Sequence, residues 1–158
     1  MYESPTFWPP GPELQRADIT LDFRGRGYSG HMVSPASEHG KRPLVLVVHN
    51  YQGLKFFDAH VAEYLARLGY VGLAVDLFGD SVSPEERLWT ADSQQWAHNQ
   101  KKCFEVVVAL DHDHEFFRAF MGAWLQLGLL QSSVDSASIA AAIGYCFGGC
   151  AVLEAVRG

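Results

Sequence analysis

SIAAAIGYCFGGC, residues Ser138–Cys150, is the stretch on which the fold turns. Ile139–Ile143 is a continuous apolar run, the pattern of a strand covered on both faces of a sheet. From Phe147 onward, FGGCAVLEAV has helical composition. At the junction stands Cys146, with Gly144 two residues before it and Gly148 two residues after it. Gly-x-Cys-x-Gly between a buried strand and a helix is the pattern of a nucleophile elbow. The turn is so tight that the positions two before and two after the nucleophile come too close for a side chain. Such a turn pushes the thiol out at the carboxyl end of the sheet. It also sets it at a helix N-terminus, where the dipole favours a thiolate. The N–H of Phe147 would then point to where a substrate oxyanion forms. Taken alone, the same residues also fit a glycine-rich turn with an incidental buried cysteine, so the context upstream has to decide.

That context is a βαβ unit. Leu44–Val48, LVLVV, is apolar and mostly β-branched, as a parallel strand buried on both faces is. FFDAHVAEYLARLG follows the loop YQGL and places Phe57, Val61, Tyr64, Leu65 and Leu68 on one helical stripe, with Gly69 as a C-cap. YVGLAVDL is the next buried strand. Strand, helix and strand within about thirty residues make a crossover that is right-handed in ~98% of cases.

Further out, Ala17–Phe23 alternates as a half-buried strand, GRGYSG reads as a β-turn, and YSGHMVSP is a second short strand. Residues 1–16, rich in Pro, are expected to form an irregular arm. Residues 96–110 fit a helix, although FEVVVAL fits a strand as well. DHEFFRAFMGAWLQLGLL has helical spacing through Phe116/Phe117, Phe120, Trp124 and Leu127, with Asp111 or Asp113 as its cap and Gly128 near its end. These aromatic residues, with Trp89 and Trp96, are expected in the core. The whole is a doubly wound, mostly parallel α/β sheet flanked by helices, in one domain over residues 1–158.

Composition narrows the function. The 158 residues are 48% apolar and 19% charged, with a net charge of −6 and no basic cluster. Nucleic acid and anionic membrane surfaces are therefore not expected as partners. No apolar run approaches the roughly 18–20 residues of a bilayer span, and MYESPTFWPPGPELQ lacks the pattern of a signal peptide. A cytoplasmic location is expected. Cys103, Cys146 and Cys150 are an odd set without framework spacing, and Cys150 is expected to be packed and inert. DHDHE (Asp111–Glu115) gathers possible metal ligands, but His112 and His114 at i, i+2 diverge on a helix. It reads as an acidic helix start, and no metal or cofactor is expected. FRGRGYSG lacks the following helix of a dinucleotide site. Asp76 is expected to brace a loop.

LVLVVHNYQGL, VAEYLARLGYVGLAVDLFGD and VDSASIAAAIGYCFGG together resemble the dienelactone hydrolase family of α/β-hydrolases. The resemblance implies a Cys nucleophile at Cys146, oxyanion donors from the backbone N–H groups of Phe147 and Tyr51, and hydrolysis of a small ester or lactone. Many members carry a Glu after the strand-end His, in contact with the resting thiol. Here that position is Asn50, which is expected to orient the thiol or a water by hydrogen bonds. The fold's triad runs nucleophile, acid, histidine along the chain, yet no Asp or His follows Cys146. His49 ends the Leu44–Val48 strand and reads as structural under the oxyanion loop. The resemblance thus implies an incomplete α/β-hydrolase fold lacking its C-terminal strands, and a chain inactive as it stands. The alternative is a non-catalytic partial α/β domain that binds a small molecule or a partner.

Overall fold

The computed structural model describes residues 10–36 and 40–157. Two long antiparallel strands come first, β1 (Leu14–Phe23) and β2 (Arg26–Pro35). Arg24 and Gly25 join them with φ of 54° and 76°, the two positive angles of a type I′ hairpin turn. β1 begins at Leu14, so the last three residues of the expected arm are strand; residues 1–9 lie outside the described residues. Then follow β3 (Leu44–Val48), α1 (Phe56–Arg67), β4 (Val71–Val75), α2 (Ser93–His112), α3 (His114–Leu129), β5 (Ala141–Gly144) and α4 (Phe147–Arg157). The ambiguous FEVVVAL segment is helical, inside α2. Asp92 caps α2 and Asp113 caps α3, each accepting backbone N–H bonds.

The sheet order is β1-β2-β4-β3-β5, with β3 parallel to β4 on one side and to β5 on the other. β2 runs antiparallel to β4. β3 and β4 are buried throughout, which is why their sequences do not alternate. β3 feeds both layers. Val45 and Val47 face α1 with Ala62, Leu65, Ala66 and Ala74. Leu44, Leu46 and Val48 face α3 and α4 with Phe117, Phe120, Trp124, Phe147 and Ala151.

α1 sits closer to the sheet than its large apolar residues would allow. A Cβ on Gly72 would meet the Ala62 carbonyl oxygen at 2.4 Å, so small residues form the contact. This corrects the expected stripe. Of its members Leu65 is buried, Val61 is half-buried, and Phe57, Tyr64 and Leu68 are exposed, because Ala62 and Ala66 rather than the stripe face the strands. Gly128 is the last residue but one of α3, near its end as expected. A Cβ there would come within 2.7 Å of a Leu44 methyl, so it is a close-packing position. Trp124, Phe117 and Phe120 fill the core as expected, whereas Trp89 is exposed on the connection after β4.

β5 stands at the edge of the sheet, as expected of a fold lacking its later strands, but it is shorter and less covered than its apolar run suggested. Its apolar residues suggested a strand covered on both faces, but Ala141 is exposed and Ala142–Gly144 are only partly buried. Ile139 lies before the strand and is almost wholly exposed. Among the described residues no strand pairs with the outer edge of β5.

Candidate active site

β3, β4 and β5 run parallel, so their carboxyl ends and the loops after them gather at one edge of the sheet, the usual location of a site in such a fold. Between β5 and α4 the chain reverses in two residues. Cys146 has φ of 56°, a left-handed conformation costly for a side chain. The N–H of Gly148 donates to the Tyr145 carbonyl and that of Gly149 to the Cys146 carbonyl, both at 2.9 Å. A Cβ on Gly144 would lie 2.1 Å from the Gly148 oxygen, and one on Gly148 would lie 2.4 Å from the Val48 oxygen. Both glycines are therefore required by backbone contacts, one within the turn and one against β3. Cys146 is exposed at the tip.

Cys103 is fully buried in α2, where desolvation pushes its thiol pKa up. Cys150 is exposed, contrary to the packed position expected for it, because the face of α4 that bears it is not covered by α3.

The loop after β3 lies beside this turn. The side-chain oxygen of Asn50 accepts the Gln52 N–H at 2.9 Å, and the Gly53 N–H donates to the Asn50 carbonyl at 3.2 Å. Asn50 thus shapes the loop with its side-chain oxygen and leaves its amide hydrogens available to other partners. Among the described residues neither the Tyr51 nor the Phe147 N–H has a backbone acceptor. The Tyr51 ring stacks on Phe104 of α2 at 4.9 Å, and Tyr145 meets Phe57 of α1 edge to face at 5.9 Å. Aromatic rings from α1 and α2 therefore flank the turn, a feature that sequence spacing alone does not reveal.

His49 is completely buried. Its Nδ1 bonds to the Asn50 carbonyl at 2.7 Å, and its Nε2 accepts the Leu77 N–H at 3.0 Å. These partners make Nδ1 the protonated nitrogen of a neutral ring. Burial pushes the His49 pKa down to about 4. With no lone pair to spare, the ring cannot take a proton from the thiol; it ties the β3 loop to the β4 loop.

Asp76, at the end of β4, braces that second loop as expected. Its carboxylate accepts the N–H groups of Phe78 (3.0 Å) and Gly79 (3.1 Å) and pairs with Arg87 at 3.0 Å. Arg87 is the residue the sequence reading missed. Its guanidinium is buried and also donates to the carbonyls of Val82 and Gly79, with a long 3.5 Å bond to Leu54. A lone Arg within SPEERLW gives no sign that it will be enclosed. Two cavities, of about 610 and 440 Å³, open on the β2–β4 side, and Cys146 lines neither. Among the described residues there is no cluster of three or more His, Cys, Asp or Glu side chains able to hold a metal. No helix among them is long and apolar enough to cross a membrane.

A side chain with nucleophilic chemistry, held in left-handed backbone between a parallel strand and a helix, defines the elbow of an α/β-hydrolase fold. The family model of the dienelactone hydrolase family matches residues 28–158, and the chain belongs to that family. Solved structures agree. m3DLH superposes with a TM-score of 0.73 at 30% identity, and a dienelactone hydrolase-like promiscuous phosphotriesterase from metagenomic libraries with 0.74 at 27%. Each match covers 91% of this chain and 54% of the other. The Escherichia coli (strain K12) hydrolase fragment YghX is 45% identical over 67 residues, which is 41% of this chain and 57% of YghX. The chain spans about half the length of the relatives it matches.

Proposed function

We propose that Cys146 is the nucleophile of a hydrolase acting on small carboxylic esters or lactones, and that its base lies in a part of the fold outside residues 1–158. The observation that carries this reading is the left-handed Cys146 between two glycines whose Cα positions admit no side chain. The thiolate attacks the carbonyl carbon. The oxygen takes up the electron pair and is held by the Phe147 and Tyr51 N–H groups. Collapse of this intermediate expels the alcohol and leaves a thioester on Cys146. Asn50, through its amide hydrogens, orients the thiolate or a water. Release of the acid needs an activated water. His49 is locked by its two bonds, and Phe147–Gly158 contain no Asp or His. The nucleophile–acid–histidine order of the fold puts the other two groups downstream, in the half that the longer relatives possess.

The test is a burst experiment with p-nitrophenyl acetate on residues 1–158. The expected result is release of up to one equivalent of p-nitrophenol per chain, little turnover afterwards, and loss of the burst in Cys146→Ala. A chain that turns over many times would show that a base is already present. Absence of any burst would remove Cys146 as nucleophile and favour the non-catalytic domain.

A further inference from the structure

The fold treats the three thiols of the chain differently. Cys103 is fully buried in α2, whereas Cys146 and Cys150 are both free and exposed. The proposed hydrolysis uses Cys146 and gives Cys150 no part. Cys146 immediately precedes α4, and Cys150 is the fourth residue of that helix. The Gly149 N–H donates to the Cys146 carbonyl at 2.9 Å, which winds Cys146 onto the first turn. Residues four apart on a helix have their Cα atoms roughly 6 Å from each other. A disulfide spans Cα separations of about 4.4–6.8 Å.

The turn between the two thiols is clear of side chains. Its residues are Phe147, Gly148 and Gly149, and the Phe147 ring is buried, stacked on Phe117 of α3. Phe147, Ala151 and Glu154 mark the covered side of α4, and Cys150 stands outside it. Side chains on a helix lean toward its N-terminus, so the Cys150 thiol leans toward Cys146. Cβ atoms four residues apart are separated by about 5–6 Å, and a disulfide needs about 3.5–4.5 Å. The required closure is roughly 1 Å. Gly149 leaves room for it, since the nearest atom to a Cβ there is the Gly144 oxygen at 3.7 Å. Closure also lets Cys146 leave its left-handed backbone, φ 56°, so relief of strain favours the movement.

We propose that Cys146 and Cys150 form a reversible redox pair whose substrate is a hydroperoxide, with Cys146 oxidised first and Cys150 resolving it. The Cys146 thiolate attacks the terminal oxygen of the peroxide. The O–O bond breaks, the leaving oxygen takes up a proton and departs as water or an alcohol, and Cys146 becomes a sulfenic acid. The Cys150 sulfur then attacks the Cys146 sulfur. The S–O bond breaks, and hydroxide leaves with the Cys150 proton as water. Two thiols are thus oxidised to one disulfide while one peroxide is reduced, and a dithiol reductant reverses the change. Cys146 leads because it stands nearer the positive end of the α4 dipole, where thiolates are favoured. The disulfide withholds the Cys146 sulfur from carbonyl attack and stops oxidation short of the irreversible sulfinic acid. The pairing stands on the placement of the two thiols; only the loss of hydrolysis on oxidation rests on the proposed role of Cys146.

The test is addition of one equivalent of hydrogen peroxide to the reduced 158-residue chain, followed by intact mass measurement and non-reducing peptide mapping. The expected result is a Cys146–Cys150 link within one chain, a mass lower by two hydrogens, an unmodified Cys103 and full reversal by dithiothreitol. Cys146→Ser should consume peroxide roughly tenfold more slowly. Cys150→Ser should keep the p-nitrophenyl acetate burst when reduced; under peroxide, dimedone should trap a sulfenic acid at its Cys146, which otherwise goes on to sulfinic acid. Oxidation of Cys146 without a link to Cys150 in the unsubstituted chain overturns the proposal. So does a link between chains, a link that forms as fast in the urea-unfolded chain, or a Cys146→Ser variant that consumes peroxide at the native rate. A reversible link in a chain that shows no burst supports the redox pair and counts against Cys146 as the hydrolytic nucleophile. A burst that survives peroxide with no link overturns the redox pair and leaves that role standing. A burst lost on oxidation and restored by dithiothreitol supports both.

Discussion

Gly144→Ala should be among the most damaging single substitutions in the chain, and Gly149→Ala, five residues away, among the mildest. At Gly144 the new Cβ would stand 2.1 Å from the Gly148 oxygen and 2.2 Å from its carbon, against an ordinary contact of 3.4–4 Å. The obstacle is backbone, so no side chain can rotate away. The turn must open by about 1 Å, and Gly148 cannot retreat because β3 lies behind it, 2.4 Å from where its own Cβ would be. Overpacking costs typically ~1–3 kcal/mol where side chains can adjust; here about 3 kcal/mol or more is expected. For a chain of this size that corresponds to a fall in Tm of roughly 6–12 °C. At Gly149 the nearest atom to a Cβ is the Gly144 oxygen at 3.7 Å, an ordinary contact. Replacing a helical glycine by alanine there should gain up to about 1 kcal/mol. Thermal unfolding of the two variants, with iodoacetamide mapping of Cys146, measures both effects. Two variants within about 1 kcal/mol of each other, with equal Cys146 labelling, would refute the claim that backbone contact at Gly144 shapes the elbow.

Other outcomes follow from the loops. Arg87→Met leaves the Asp76 carboxylate buried without its cation and should cost about 3–5 kcal/mol; in urea titrations the double variant with Asp76→Asn should lose less than the sum of the singles. His49 has a folded pKa of about 4 against 6.5 when free, so between those values the unfolded chain binds the extra proton. Its contribution is full above pH 6.5 and is lost as the pH falls toward 4, about 3 kcal/mol in all. A stability–pH slope that persists unchanged in His49→Asn would contradict this. In the native chain iodoacetamide should label Cys146 faster than Cys150 and leave buried Cys103 unreacted; peptide mapping that ranks Cys150 first would argue against an activated thiol.

The elements that position the site were legible because their signals are local. Leu44–Val48 and Val71–Val75 are unbroken apolar runs, and the glycines around Cys146 have a steric cause that works within five residues. What remained hidden depends on how surfaces meet. The side α1 turns to the sheet is set by Ala62 against Gly72, and the larger residues of the expected stripe face elsewhere. Nothing near Arg87 foretells that it will be enclosed, since its acceptors at Asp76, Gly79 and Val82 come from its own long connection between β4 and α2 folding back on it, and the one at Leu54 comes from the loop after β3. Cys150 follows the elbow by four residues, and its exposure depends on what covers α4, which lies beyond its own sequence neighbourhood. Tyr51 and Phe104 stack across 53 positions of sequence, a pairing that only the tertiary fold creates.

The position of β3 between β4 and β5 also bears on how the chain is made. β4 follows β3 closely and can pair with it as soon as both have left the ribosome. Val45 meets Ala141 on its other side, so the partner for that edge is translated about 100 residues later, roughly 5–20 s at ordinary elongation rates. Throughout that interval the most apolar strand of the protein presents one open side to the cell. A trigger-factor-like holdase that recognises extended apolar segments would find its binding window there, and slow codons between α1 and β5 would lengthen it. Ribosome profiling of chaperone-bound nascent chains would show the engagement beginning after Val48 emerges and ending once Gly144 does.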